Sequence, residues 1–175
     1  MNCMTALETA RLDLRPFAEE DLDDLSILMA NADFMRFSTG VFSREQTVAF
    51  LEKVRGRDRA GVPSQFALVF RPDQKLIGYC GFFLQSVDDV EELEIAYRLD
   101  PSYWNGGLAT EAARAVRDHA FDDLELSHVI SLIHPDNIAS RRVAEKNGMT
   151  LEKETIFRGF PTIVFGINRE QRNGR

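Results

Sequence analysis

The chain has 175 residues, with 21 lysines and arginines against 28 aspartates and glutamates, and a net charge of −7. That length fits one domain, read as spanning 1–175, and a hydrophobic share of 44% supplies a real core. The acidic balance argues against a nucleic-acid binder, which needs clustered Lys and Arg, and no run approaches the ~18 apolar residues of a membrane span.

The start, MNCMTALETARLDL, has neither the basic region nor the apolar stretch of a signal peptide, so a cytoplasmic setting is expected. Cys3 and Cys80 are too few for a disulfide framework, and His119, His128 and His134 are scattered, so no metal is expected. In chain order, ETARLDLRPF (8–17) alternates as a first strand ended by Pro16. In EEDLDDLSILMANAD, Leu22, Leu25, Met29 and Ala32 fall at helical spacing behind an acidic first turn. A second helix opens at Ser43, with Gln46 as capping-box partner, and stops at Gly61 and Pro63. QFALVF (65–70) is a continuous apolar run and predicts a strand covered on both faces. KLIGYCGFFL (75–84) and ELEIAYRL (92–99) are further strands, followed by a helix over 107–124 with Ala109, Ala112, Val116 and Ala120 on one face. HVISLI (128–133) is another buried strand, a helix over 137–147 ends at Gly148, and 150–171 alternates as two last strands. The order β-α-α-β-β-β-α-β-α-β-β contains one βαβ unit, hence one parallel pair in an otherwise antiparallel mixed α/β sheet.

Within that unit, Gly106 and Gly107 run straight into the helix. Alone they read equally well as a plain turn needing positive φ. Their place is what counts: ligands of open α/β sheets bind at the carboxyl ends of strands, where a helix N-terminus offers free N–H groups to a phosphate. Asn105 is a possible cap, and neither a Walker nor a dinucleotide glycine pattern is present.

The stretch PSYWNGGLATEA (101–112) resembles the acyl-CoA pyrophosphate loop of the GNAT superfamily of N-acetyltransferases, and its RimJ/RimL-type branch in particular. NIASRRVAEKNGM (137–149), TARLDLRPFAEEDLDDL (9–25) and HAFDDLELSHVISLIHPDN (119–137) resemble the same branch, so the likeness covers nearly the whole chain. The resemblance implies a single mixed, mostly antiparallel sheet whose parallel pair, 92–99 and 128–133, splays to admit the pantetheine arm of acetyl-CoA. It implies that the backbone of Tyr97, Arg98 and Leu99 pairs with that arm. The N–H groups of Asn105, Gly106, Gly107, Leu108, Ala109 and Thr110 would then cradle the pyrophosphate. Asn137, Ser140 and Lys146 are the further cofactor contacts implied, with Arg142 a weaker one. Two positions depart from the wider pattern: Trp104 stands where Gln or Arg is common, and Ala144 where many members carry a tyrosine acid.

Acetyl transfer to an amine must remove a proton from a group of pKa ~10.4 and supply one to a departing thiolate. Glu94 is the candidate base, acting through water, and reads equally as an outward strand charge; Glu92, on the same face, is the reserve, and Glu91 points away. Ser140 is the candidate donor to the CoA sulfur, or simply a helix-start serine bonding local backbone. Asn137 could cap the same helix. Tyr97 and Tyr103 read as packing, Cys80 as an inert core thiol, and His134 as a loop residue. The acceptor site would lie between 34–42 and 157–162, both aromatic-rich. The expected activity is acetyl transfer from acetyl-CoA to a primary amine, a small molecule or a protein N-terminus, by a monomer or homodimer. The rivals are a non-catalytic acyl-CoA sensor of the same fold and a phosphate-ligand binder unrelated to CoA.

Overall fold

The computed structural model describes residues 5–172, so Cys3 lies outside the described residues. The strand expected over 8–17 is two short ones, β1 (Leu7–Glu8) and β2 (Leu12–Pro16). Thr9 makes the break: its main-chain N–H donates to the Leu12 carbonyl and its hydroxyl accepts from the Leu12 N–H, both at 2.9 Å. A 3₁₀ turn at Glu19–Asp21 leads into α1 (Leu22–Met29). Helix α2 (Arg44–Arg59) starts with the expected box, Gln46 N–H on the Ser43 hydroxyl and Ser43 N–H on the Gln46 side chain.

β3 (Gln65–Phe70) is buried along nearly its whole length, as its unbroken apolar run requires. β4 (Lys75–Val87) and β5 (Val90–Leu99) run further than their apolar cores predict. The tight turn between them is Asp88-Asp89, both at positive φ (50° and 65°). Hairpin turns of this kind usually announce themselves with Asn-Gly or Asp-Gly, so two aspartates hide the signal. Asp88 is held from outside, accepting from the Thr155 hydroxyl at 2.7 Å and pairing with Lys153 at 2.7 Å.

After β5 come α3 (Leu108–Asp122), β6 (His128–Ile133), α4 (Ile138–Lys146), β7 (Thr150–Phe157), β8 (Phe160–Asn168) and a final turn of helix, α5 (Arg169–Arg172). Among the described residues, all eight strands form one sheet in the order β1-β2-β3-β4-β5-β6-β8-β7, antiparallel except for β5 and β6.

α3 and α4 cover one face, burying Ala112, Val116, Ala120, Phe121 and Ala144 against Leu12, Phe66, Phe82 and Ile95. α1 and α2 cover the other face around Leu25, Met29, Leu51, Ala67 and Tyr79. Beyond the reach of α1 and α2, that second face curls over itself. Val87 packs with Ile130 and Val164, and Phe157 joins them from the β7–β8 hairpin. The Asp88 contacts to Lys153 and Thr155 hold the hairpin in this position, and the curl encloses Glu94.

Candidate active site

One ladder pair, Glu94 with Ile130, joins β5 to β6; past it the strands part. The main-chain groups freed by this parting are not all left bare. The Ser131 hydroxyl donates to the Ile95 carbonyl at 2.8 Å, and the Trp104 indole N–H donates to the Leu99 carbonyl at 2.8 Å. Because N–H and C=O groups alternate sides along a strand, Tyr97 faces the same gap, between these two occupied carbonyls. The expectation that Leu99 offers its backbone to a ligand is therefore narrowed: one lone pair of its carbonyl serves Trp104. The departure at Trp104 thus acquires a local role.

At the mouth of the gap lies the start of α3. The helix begins at Leu108, one residue later than expected, and its cap is Gly107 in the left-handed conformation (φ 80°) rather than Asn105. Asn105 also has positive φ (61°), while Gly106 does not. The first amides of the helix, those of Leu108, Ala109 and Thr110, have no carbonyl behind them within the helix and point out of its end.

This turn is clamped from a distance. Arg11 donates through Nη1 to the Gly106 carbonyl at 2.8 Å and through Nε to Glu111 at 2.8 Å, with a further Nη2 contact to Glu111 at 2.7 Å. Glu111 also accepts from the Thr9 hydroxyl at 2.6 Å and the Arg11 main-chain N–H at 2.8 Å. Burial would raise the Glu111 pKa, but these bonds and the arginine charge outweigh it and hold the carboxyl low. Sequence reading missed Arg11, although it belongs to the familial opening segment and Glu111 to the glycine-loop motif.

Turn and gap open into one cleft of about 390 Å³. Tyr97, Arg98, Leu99, Asn105, Gly107, Leu108, Ala109, Thr110, Asn137, Ser140 and Lys146 all line it. Gly106 does not; its carbonyl is turned to Arg11. Arg36, Arg98, Arg142 and Lys146 line the cleft with one acidic residue, Asp33, which Arg36 pairs with directly, so the lining carries a local cationic excess on an acidic protein. Arg98 also pins the 34–37 segment, donating to the carbonyls of Phe34 and Arg36 at 3.0 Å each. Phe37, at positive φ, stacks on His134 with ring centroids 5.3 Å apart, closing the cleft on the side of the loop after β6.

Asn137 caps α4, its Oδ1 accepting from the Ser140 N–H at 3.1 Å. The Tyr97 hydroxyl donates to the Ser140 carbonyl at 3.0 Å, so strand and helix are tied beside the Ser140 side chain. Ala144 is inside the core, where it packs as a methyl group.

Glu94 does not line the cleft; it sits at the fork itself, 8% exposed. Burial pushes its pKa up, opposed by the Gln85 side-chain amide (2.6 Å), the Leu132 main-chain N–H and the charges of Arg158 and Arg98. The reading of Glu94 as an outward-facing charge is corrected by the curl of the β7–β8 hairpin, which covers that face. Glu92 shares the face but is engaged by His128 Nδ1 at 3.2 Å, while His128 Nε2 reaches Glu152 at 2.8 Å. Burial raises the Cys80 pKa well beyond the usual thiol range, which leaves it unreactive. Tyr103 packs on Phe70 and donates to Asp73 at 2.6 Å. Among the described residues no helix is long and apolar enough to cross a membrane, and no group of three or more His, Cys, Asp or Glu side chains is placed to hold a metal ion.

A parallel pair that forks ahead of a helix N-terminus, in an otherwise antiparallel sheet covered by helices on both faces, defines an acyl-CoA-dependent acyltransferase fold. The sequence profile of the Acetyltransferase (GNAT) domain matches residues 11–150, and the chain belongs to that family. It is 32% identical over 147 residues to the uncharacterised N-acetyltransferase YnaD of Bacillus subtilis (strain 168), an alignment covering 83% of each chain. Its fold superposes on a GNAT-family acetyltransferase from Bacillus anthracis with a TM-score of 0.81 at 26% identity, covering 95% of this chain and 99% of that one. A second superposition, on RimL, a ribosomal alpha-N-protein acetyltransferase in complex with coenzyme A, gives a TM-score of 0.79 at 19% identity over 94% and 98% of the two chains, a likeness of fold. The chain is thus an acetyl-CoA-dependent N-acetyltransferase.

Proposed function

We propose that the protein acetylates a primary amine, with Glu94 as general base through water, and that it acts as a single-domain cytoplasmic enzyme of the RimJ/RimL-type branch. The observation that carries this reading is the placement of Glu94: a buried carboxylate at the point where the two strands part, beside the gap and not within it. Acetyl-CoA, when bound, supplies an activated thioester carbonyl. The residues present fit it: helix amides at Leu108–Thr110 suit a pyrophosphate, Arg142 and Lys146 add positive charge, and the gap beside Tyr97 offers unpaired backbone to an amide-bearing arm.

A raised carboxyl pKa brings Glu94 closer to the operating pH, where proton acceptance is most effective. Ser140, whose main-chain N–H is fixed by Asn137 and whose carbonyl is fixed by Tyr97, holds its hydroxyl at the cleft wall as a donor toward the leaving sulfur. The acceptor enters from the side of Phe37 and the β7–β8 hairpin, and is a small amine or a protein N-terminus.

The test is release of free thiol when the protein is mixed with acetyl-CoA and a panel of amines, followed beside Glu94→Gln. Thiol release that depends on one class of amine and falls in the variant supports the reading. The core position of Ala144 favours the sensor alternative, since no tyrosine acid is available there. Tight CoA binding with no thiol release for any amine would establish that alternative.

A further inference from the structure

A relay of side chains, Arg158 in the β7–β8 turn and Gln85 on β4, ends at Glu94 on β5. Gln85, on β4 and 9% exposed, donates through Nε2 to Glu94 Oε2 at 2.6 Å. Its Oε1 accepts from Arg158 Nη2 at 3.0 Å. Arg158 stands in the turn between β7 and β8, at positive φ, with its guanidinium 4.9 Å above the Phe157 ring. That ring packs in turn with Val87, Ile130 and Val164. The guanidinium is therefore held by a ring that is itself part of the small core under the hairpin.

A guanidinium has donors and no acceptor, whereas a glutamine amide has both and can flip. With Arg158 in place, the Gln85 carbonyl must face the turn and its NH₂ must face Glu94. We propose that Arg158 is a positioning residue which, by locking the Gln85 amide, keeps Glu94 supplied with a donor and holds its carboxylate at the fork between β5 and β6. The proposal deepens the reading of Glu94 as base and rests on that reading for its catalytic consequence, though not for its geometry.

The lock has a direction. Protonated Glu94 carries an O–H that needs an acceptor, and a freely flipping Gln85 would offer its carbonyl. Arg158 denies that choice, so the chain favours the charged carboxylate twice, through its own charge and through the fixed amide. The other titratable groups near Glu94 are Arg98 on its own strand, Tyr79 on β4, Tyr97 on β5, and Glu92, which shares the face, stands opposite Gln85 in the β4–β5 ladder and is engaged by His128. Among the described residues the hydrogen bonds of the Gln85 amide go to Glu94 and Arg158. A hairpin that lifts away would release the lock and let Glu94 take up a proton, so the protonation of the carboxyl is coupled to the closure of the β7–β8 turn.

The experiment needs no acceptor. The full chain is labelled with ¹³C at the glutamate side-chain carboxyl, the Glu94 signal is identified by its loss in Glu94→Gln, and its titration midpoint is read by NMR. In Arg158→Leu the midpoint should rise by roughly half to one pH unit, because the lost partner is part-exposed and screened. In Arg158→Lys, which restores a charged donor, it should return most of the way to the wild-type value. A midpoint unchanged in Arg158→Leu, or raised equally in both variants, overturns the proposal. Failure of the base reading looks different: Glu94→Gln would then transfer acetyl at the wild-type rate, while the Arg158 shifts would still be seen.

Discussion

Replacing Arg11 by Met tests the claim that the turn proposed to hold the pyrophosphate is set from across the domain. The substitution keeps the aliphatic stem and removes three contacts: Nη1 to the Gly106 carbonyl, Nε to Glu111 and Nη2 to Glu111. Bonds to charged groups reach ~1.5–3 kcal/mol when protected, but Arg11 is 43% exposed, so screening brings the whole clamp to about 1–2 kcal/mol. Glu111 keeps the Thr9 hydroxyl and the main-chain N–H at position 11. It also keeps a negative charge, no longer balanced, in the first turn of α3. Both the loosened Gly106 carbonyl and that charge act against a dianionic ligand at the helix end. Affinity for CoA, measured by calorimetry, should fall ~5–30-fold, the factor that 1–2 kcal/mol gives. Affinity for S-acetylpantetheine, which has no pyrophosphate, should stay within about twofold. The added change Glu111→Gln should recover part of the loss by removing the stranded charge. If CoA and S-acetylpantetheine weakened together, the clamp would be a general stabiliser of the fold and not a device for the phosphate end.

Further outcomes follow from the same contacts. Glu94→Gln should lower amine-dependent turnover by ~10²–10⁴ while CoA affinity holds. Its thermal stability should exceed that of the wild type at neutral pH. A carboxyl whose folded pKa is raised stabilises the fold fully below the unfolded value near ~4.3 and loses that contribution as pH rises through the folded pKa, a loss glutamine does not suffer. The gap in Tm should close toward pH 4; a constant gap would refute the linkage. For His128, burial opposes the charge, yet the hydrogen bonds and charges of Glu152 and Glu92 outweigh it and the pKa is raised. Its stabilisation is complete below ~6.5 and disappears as pH climbs past the folded value, so His128→Gln should depress Tm at pH 6 and much less at pH 9. Ser131→Ala leaves the Ile95 carbonyl without its 2.8 Å donor at a buried site and should cost about 1–3 kcal/mol in urea unfolding with CoA absent. No change there would mean that the Ile95 carbonyl has another partner.

What the sequence made legible was local. The Ser43–Gln46 box, the buried strands 65–70 and 128–133 and the βαβ unit each follow from residues within a few positions of one another. The glycine turn is legible for the same reason, although Gly107 alone of the pair takes the left-handed conformation. Apart from the Asp88-Asp89 turn, the hidden features join distant positions. Arg11 reaches Glu111 across 100 residues and Arg158 reaches Gln85 across 73, and neither pairing leaves a periodic trace. The true surroundings of Glu94 were hidden likewise, since alternation assigns a strand residue to a face but does not say that a hairpin will fold over that face.

The fork between β5 and β6 illustrates how such distant pairings make a site. Two parallel strands that part inside a domain strand N–H and C=O groups in a region where each unpaired one costs about 1–3 kcal/mol. Left unanswered, that cost would drive the strands to zip together and close the gap. Here a serine hydroxyl takes the Ile95 carbonyl, an indole N–H takes that of Leu99, and the Leu132 N–H is turned toward the Glu94 carboxyl. Between those substitutions the backbone of Tyr97 stays available beside the cleft. The opening is therefore held by the protein's own side chains before any ligand arrives, and a ligand with amide groups need satisfy only the short stretch that they leave. The carboxyl that helps to hold the fork apart is also the one proposed to receive a proton, so on that reading one group serves both the geometry that keeps the slot open and the acid–base chemistry at its inner end.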